Sequence, residues 1–516
     1  MIHIKALPLR STRLSVSLAA ALSMGALPSC DSLWNGFTAD VPNSCAAPMS
    51  QHPCTGQQVC NPTTGACVTP LQYSNITPNT MPASGGGTVD VAGLGFTSDT
   101  VVNIAGQPLL NPSVMSGGTI IHGTVPRSPN RCGLVDISMS RADGAKVQKD
   151  AQFRYILEPL SFRPTQTAVG VYDLITHFLT ANMDGDSAGR PDLVFGHAAG
   201  FSVLFNSDLA QPNIVTTKIP AGIGERIAIA RVNGNPFPDV IVSNKLSGQL
   251  EVYSNNGSST GYSPASSVSV NGSIKDIAPV DIDDNGTDEL VLNTSTGVGA
   301  STVALYSRSV TSNKFVFSAD VPIAADLGGM ALGDFDGNGA QDVAIAGFDK
   351  SWRLLTIDRS GKSVKVTNTT GNGFIMGGMV SGDWDNDGKT DLAMINSTTG
   401  RIYIFNLSNG STPVSSVDIA NTGTIPGQSM QAFDINCDGL LDIIVNRPGT
   451  QPGELVFVIN TGQSTFRPGP SINTTKYQGG PFLVVDYKSD TLPEIFGRGG
   501  TLTQNSFLAV QELIVP

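Results

Sequence analysis

Apolar and polar positions alternate along most of this chain, and between Asn182 and Glu494 they fall into a repeating order: an apolar strand, a short acidic loop, a second apolar strand. The clearest copies are MALGDFDGNGAQDVAIAG (330–347), GGMVSGDWDNDGKTDLAMIN (377–396), IAPVDIDDNGTDELVLN (277–293) and MQAFDINCDGLLDIIVN (430–446). Weaker copies are TANMDGDSAGRPDLVFG (180–196), IARVNGNPFPDVIVSN (229–244) and LVVDYKSDTLPEIFGR (483–498). The loops open at 182, 231, 281, 334, 383, 434 and 486, in steps of 49, 50, 53, 49, 51 and 52 residues. A regular period of this size marks a repeat architecture.

Each copy continues into a third, alternating run: FSVLFN (201–206), QLEVYSN (249–255), STVALYS (301–307), WRLLTID (352–358), RIYIFN (401–406), ELVFVIN (454–460) and SFLAVQ (506–511). Alternation rich in β-branched and aromatic residues predicts strands. A fourth run follows in six copies, as in FVFSADVPI (315–323), PVSSVDIA (413–420) and TFRPGPSI (465–472). The seventh copy ends at Pro516 without one, and SFRPTQT (161–167), ahead of the first copy, echoes TFRPGPS. Four strands per repeat, one borrowed from the other terminus, predict an all-β ring: a seven-bladed propeller over 158–516, which hides its sheet edges by radial repetition. An open β-solenoid is the alternative, but it needs caps rather than a shared strand.

The front of the chain is different. Residues 1–30 carry a basic start (Lys5, Arg10, Arg13) and an apolar stretch from Leu14 to Leu27, which predicts an export signal too short for a permanent membrane anchor. Leu27-Pro28-Ser29-Cys30 resembles a bacterial lipobox, which implies lipid attachment at Cys30, although Pro28 departs from the pattern. In an exported chain, Cys45, Cys54, Cys60 and Cys67, in a loop-rich segment (31–70), predict two disulfides of undetermined pairing. The competing reading, a zinc site, has His52 close by but is disfavoured by the spacing, which lacks short Cys pairs. Cys132 and Cys437 have no evident partners and are expected to be free and buried.

Residues 74–156 form another module, in which short strands are separated by Gly and Pro turns, the pattern of a sandwich. Its Pro78, Gly86, Val89, Val91, Gly93, Gly95, Phe96, Gly106, Phe153 and Tyr155 resemble the IPT/TIG family of immunoglobulin-like domains. That resemblance implies a rigid spacer.

The net charge of −12 and the absence of basic clusters argue against nucleic acid, and much of the acid lies in the repeated loops. Asp334, Asp336, Asn338 and Asp342 occupy positions 1, 3, 5 and 9 of one loop, with Gly339 at position 6. Alternate residues of a tight loop can aim oxygens at one centre, Gly permits the sharp turn, and hard oxygen ligands suit calcium. The same positions hold Asp281, Asp283, Asn285 and Glu289; Asp383, Asp385, Asp387 and Asp391; and Asp434, Asn436, Asp438 and Asp442. An EF-hand would need a carboxylate at position 12, where these loops have Leu292, Ile345, Met394 and Val445. The loops resemble instead the FG-GAP repeat of integrin α-chain propellers and its bacterial VCBS form. That likeness implies calcium between the first and second strands of each blade, with all sites on one face.

The other copies depart from the pattern. Asn182, Asp184 and Asp186 fit the first copy, but the closing carboxylate, Asp192, comes two residues late. The second puts Arg231 at position 1, ahead of Asn233, Asn235 and Asp239, and is expected to bind no metal. In the seventh, Lys488 stands between Asp486 and Asp490, where its ammonium can take the metal's place. For one loop alone, Asp and Asn as simple turn formers would be explanation enough. Four such loops in register would repel themselves without a cation.

His177 and His197 are the only histidines of the repeat region, and it has no nucleophile elbow, phosphate-cradling loop or HExxH. The expectation is a non-enzymatic, calcium-stabilised binding or adhesion protein, exported to the cell envelope or outer surface, touching membrane only through a lipid on Cys30. Its partner would be a protein or glycan met on the face away from the calcium. A carbohydrate-binding or lyase-like propeller and an envelope scaffold are the alternatives.

Overall fold

The computed structural model describes residues 58–60, 67–172, 174–186, 189–206, 213–219, 223–244, 247–257, 261–309, 314–358, 363–371, 373–407, 412–419, 430–447, 454–473, 477–499 and 506–516. Every regular element among them is a strand. The export signal, Cys30, Cys45 and Cys54 lie outside the described residues. Cys60 and Cys67 are register partners in a two-stranded ribbon, Val59–Cys60 with Cys67–Val68.

Residues 72–156 form a sandwich. One sheet has the order Gln72–Thr77, Thr88–Leu94, Ile120–Thr124, Leu110–Met115, and the other the order Thr80–Pro82, Lys146–Ile156, Gly133–Ser140, Val101–Ile104, Gln107–Pro108. The alternation TVDVAGL places Val89 and Val91 inward, where with Ile104, Ile121, Phe153 and Tyr155 they are almost fully buried. The Tyr155 hydroxyl donates to the Pro126 carbonyl at 2.8 Å, so its polar end is satisfied inside the core.

Downstream, seven four-stranded antiparallel sheets follow in chain order. Their first strands are Ile175–Ala181, Ile223–Ala230, Ser273–Val280, Leu327–Gly333, Met376–Gly382, Met430–Phe433 and Tyr477–Val485. Each lies against the first strand of the next sheet, and the seventh lies against the first. The seventh sheet is completed by the strand ahead of the first copy: Ser161–Tyr172 pairs antiparallel with Ser506–Ile514, Ser161 opposite Ile514 and Thr165 opposite Val510. Second strands such as Asp192–His197, Asp342–Gly347 and Asp391–Asn396 are buried at every residue. They are covered on both faces by neighbouring sheets, which is why they read as continuous rather than alternating apolar runs. Aromatic edges cross between neighbours, Phe201 on Tyr253 and Trp352 on Phe405, with centroids 5.5 and 5.9 Å apart.

The expectation that Cys132 and Cys437 are free is overturned. They form a disulfide joining the sandwich to the sixth sheet across 305 residues of sequence. Around it the Cys132 amide donates to Thr491 Oγ1 (2.9 Å), the Leu157 amide to the Asn436 carbonyl (2.8 Å), and the Arg127 guanidinium to the Val515 and Pro516 carbonyls. Phe153 and Tyr155 share one apolar cluster with Ile435, Phe457 and Ile495. The sandwich is therefore docked on the sixth and seventh sheets.

Candidate metal centre

The acidic loops join first to second strands, so all seven emerge at the same end of their sheets. Their geometry is set by backbone turns. Asp334 accepts the Asn338 and Gly339 amides (2.9 and 2.8 Å), Asp383 those of Asp387 and Gly388 (3.1 and 2.9 Å), and Asp434 those of Asp438 and Gly439 (3.0 and 2.8 Å). Asp281 does the same with Asn285 and Gly286. At position 6, Gly286, Gly339, Gly388 and Gly439 have φ between 81° and 89°, the left-handed turn that favours glycine. Position 4 is also left-handed in every copy, from Gly185, Gly234, Asp284, Gly337 and Asn386 to Cys437 and Ser489.

Position 2 is a buried apolar plug in each copy: Met183, Val232, Ile282, Phe335, Trp384, Ile435 and Tyr487. The acid that opens each second strand is buried as well: Asp192, Asp239, Glu289, Asp342, Asp391, Asp442 and Glu494. What satisfies that acid differs between copies. Asp192 accepts from the Met183, Asp184 and Asn206 amides. Asp239 accepts from the Asn255 amide and from the Asn233 side chain at 2.8 Å. Glu494 accepts from the Tyr487 and Lys488 amides, and the Lys488 ammonium lies 3.4 Å away. Lys488 thus pairs with Glu494 and Glu512, not with Asp486 and Asp490 as its place in the sequence indicated.

In the fourth copy the acid is not satisfied by protein, and in the fifth only in part, since Oδ2 of Asp391 accepts the Trp384 amide at 3.3 Å. Neither oxygen of Asp342 has a hydrogen-bond partner, and Oδ1 of Asp391 has none. The Phe335 and Asp336 amides face Asp342 outside hydrogen-bond geometry. Burial costs such a carboxylate several kcal/mol unless a partner is supplied. Here burial first, and then the carboxylates of Asp336 and Asp334, push the Asp342 pKa up to about 6. Burial and then Asp385, with Asp387 and Asp383, push Asp391 up to about 7. One ligand oxygen from each of Asp281, Asp283 and Glu289 lies within 4.8 Å of the others, and the same holds for Asp334, Asp336 and Asp342 and for Asp383, Asp385 and Asp391. Three acidic oxygens converging on a point, with orphaned buried oxygens beside them, can hold a metal ion. Positions 1, 3 and 5 are turn formers too, and the closing acid also accepts the position-2 amide in most copies, but in the fourth copy neither oxygen of Asp342 has a hydrogen-bond partner.

The sixth loop differs. Asn436 stands at position 3, Asp442 accepts the Ile435 and Asn460 amides (3.1 and 2.8 Å), and Arg154 of the sandwich donates to the Cys437 carbonyl at 3.0 Å. A Cβ added at Gly439 would meet that guanidinium at under 3 Å. Burial and the Asp438 and Asp434 carboxylates push Asp442 up to about 8. In the first loop Asp186 is drawn to Arg190 at 2.9 Å, and Asp184, Asp186 and Asp192 do not form a converging cluster.

An asparagine at the end of the third run ties neighbouring loops together. The Asn255 side chain donates to the Met183 carbonyl of the preceding sheet (2.6 Å), Asn460 to that of Trp384 (2.9 Å), and Asn206 to that of Tyr487 across the join between first and seventh sheets. These asparagines stand in plain view as the last letters of FSVLFN, QLEVYSN and ELVFVIN, yet only the structure shows what they reach. His197, by contrast, is buried within the first sheet, with Nε2 3.2 Å from Ser202 Oγ.

A folded-state pKa raised to about 6 or 7 means that the metal-free protein holds protons its unfolded chain releases near pH 4. That stability is present below the unfolded pKa and is lost as pH rises to the folded value. Stability in a chelator is therefore expected to be higher at pH 5 than at pH 7.5, by about 1–2 kcal/mol for Asp342 and about 2–3 kcal/mol for Asp391. Differential scanning fluorimetry at the two pH values checks this, and the gap should narrow in Asp342→Asn and Asp391→Asn.

Residues 334–394 and 383–445 match the FG-GAP-like repeat family, and residues 71–155 match the IPT/TIG domain. No curated protein matches the chain. Among solved structures, BBS1N in complex with ARL6DN, soaked with lead, is 13% identical, with a TM-score of 0.44 over 69% of this chain and 96% of that one. An auxiliary nutrient binding protein from Bacteroides ovatus is 11% identical, with a TM-score of 0.41 over 86% of this chain and 97% of that one.

Proposed function

We propose that the seven sheets are the blades of a closed propeller that binds calcium structurally, and that the protein is an exported surface binding module without catalysis. The observation that carries the reading is the contrast at position 9. The buried closing acid is satisfied by amides, an Asn side chain or an ammonium in the first, second and seventh copies, whereas two of the three converging clusters, in the fourth and fifth copies, leave oxygens of Asp342 and Asp391 orphaned; in the third, Glu289 accepts the Ile282 amide. Asp281, Asp283, Asn285 and Glu289; Asp334, Asp336, Asn338 and Asp342; and Asp383, Asp385, Asp387 and Asp391 would hold the ions. The sixth set, Asp434, Asn436, Asp438 and Asp442, is weakened by Arg154. Bound calcium supplies the positive charge that makes burial of these acids favourable. The Cys132–Cys437 disulfide fits an extracellular or surface setting, and a lipid on Cys30 would hold the protein at the envelope.

Calorimetric titration of the mature chain with calcium tests this. Three sites are expected, with a weaker fourth, and Asp342→Asn should remove one. Absence of saturable uptake, or a site count unchanged in the variant, would sink the reading.

A further inference from the structure

The first strands surround a cavity of about 880 Å³, and its charged groups, Arg226, Lys275 and Asp276, lie nearer the openings of their strands than the acidic loops at the other end. Six of the seven first strands shift register near those openings, for instance between Ile274 and Asp276 and between Leu327 and Met330. Bulges of this kind re-aim side chains and recur beside binding sites. At one of them the Asp276 carboxylate crosses to the next sheet and accepts the Met330 amide at 2.8 Å, while Arg226 pairs with it at 3.3 Å.

The lining is polarised. His177, Arg226 and Lys275, from three consecutive sheets, bring basic groups to one side, and Asp276 is the single carboxylate among the described lining residues. The opposite side is apolar, with half-buried Met330, Met379 and Met430 and an exposed Phe348. Glycine pairs at 328–329 and 377–378 leave room beside these methionines. No Trp, Tyr, Asn, Gln or Glu lines the cavity among the described residues, so it lacks the amide forks that hydrogen-bond a sugar, and its Phe178, Phe348 and Phe482 add to the apolar surface. In a chain of net charge −12, a pocket whose charged groups are mainly basic is a local exception that concentrates anions.

We infer that this cavity binds an aliphatic carboxylate, its anionic head on the Arg226 and Lys275 side and its body against the methionines. The inference rests on the reading of the protein as a binding module. A single charged head and an apolar tail match the division of the lining between the Arg226 and Lys275 side and the methionine side. Methionine's flexible thioether suits a tail of variable shape.

The test is calorimetry of the calcium-loaded mature chain with octanoate, and with octylammonium as the tail-matched cation. Octanoate is expected to bind saturably, one to one, and to weaken at high salt, and octylammonium not to bind. Lys275→Met, and the double change Arg226→Met with Asp276→Asn, which avoids leaving a lone buried carboxylate, should each weaken octanoate at least tenfold. Equal binding of octylammonium, no saturable binding of octanoate, or affinity unchanged in both variants would overturn the inference. If the double variant does not fold, Lys275→Met and the octylammonium comparison still decide. Calcium uptake is read at the other end of the ring, so loss of octanoate binding with intact calcium titration refutes this inference alone.

Discussion

Stripping calcium from the folded protein at pH 7.5 is expected to cost about 5 kcal/mol of stability. An ion present at about twentyfold its Kd contributes about 1.8 kcal/mol per site, and three converging carboxylate clusters are present. For a folded unit of this size that loss corresponds to a fall in melting temperature on the order of 5 °C. The cost is concentrated at position 9. Without the ion, Asp342 and Asp391 remain buried beside other carboxylates, with oxygens that no protein group satisfies. Asp391→Asn should therefore lose about a third of the calcium-dependent stabilisation while melting higher than the parent in chelator. Lys488→Met should leave the calcium-dependent shift unchanged, because the seventh loop already carries its own cation against Glu494.

The second large effect concerns the Cys132–Cys437 disulfide. Cys132→Ala is expected to destabilise by about 2–5 kcal/mol, since the bond closes a loop of 305 residues and the unfolded chain gains that freedom when it is absent. Cys437 has φ of 62° at a loop position filled elsewhere by Gly, Asn, Asp or Ser, so with the bond gone it is a poor residue for its backbone. Adding Cys437→Gly to Cys132→Ala should recover about 1 kcal/mol. Denaturant unfolding of parent, single and double variants measures both steps, and equal stability of all three would contradict them. Loosening should appear first where the sandwich meets the sixth and seventh sheets, at the Arg154 and Arg127 contacts.

Much of this architecture was legible because its physics is local. Alternation set the third and fourth runs, and FVFSADVPI forms the strand Phe315–Ile323 as its pattern indicated. The echo of TFRPGPS in SFRPTQT anticipated the pairing of Ser161–Tyr172 with Ser506–Ile514, because two strands doing the same job at the outer edge of a sheet meet the same demands. The acid positions of the third, fourth and fifth loops were legible for the same reason. The disulfide was not, since one cysteine in each of two modules carries no spacing signal. Cys437 did stand where its neighbours have turn residues, and that mismatch was the available clue. The partner of Lys488 was missed because Glu512 lies on the third strand, distant in sequence and adjacent only once the sheet forms.

The most direct test of the central claim is a long-wavelength anomalous difference map from crystals grown with calcium. Peaks are predicted among Asp281, Asp283 and Glu289, among Asp334, Asp336 and Asp342, and among Asp383, Asp385 and Asp391, with a weaker one at the Asp434 loop and none at the second and seventh loops. A map without peaks at those three clusters, or with an ion at the loop Lys488 already fills, would contradict it.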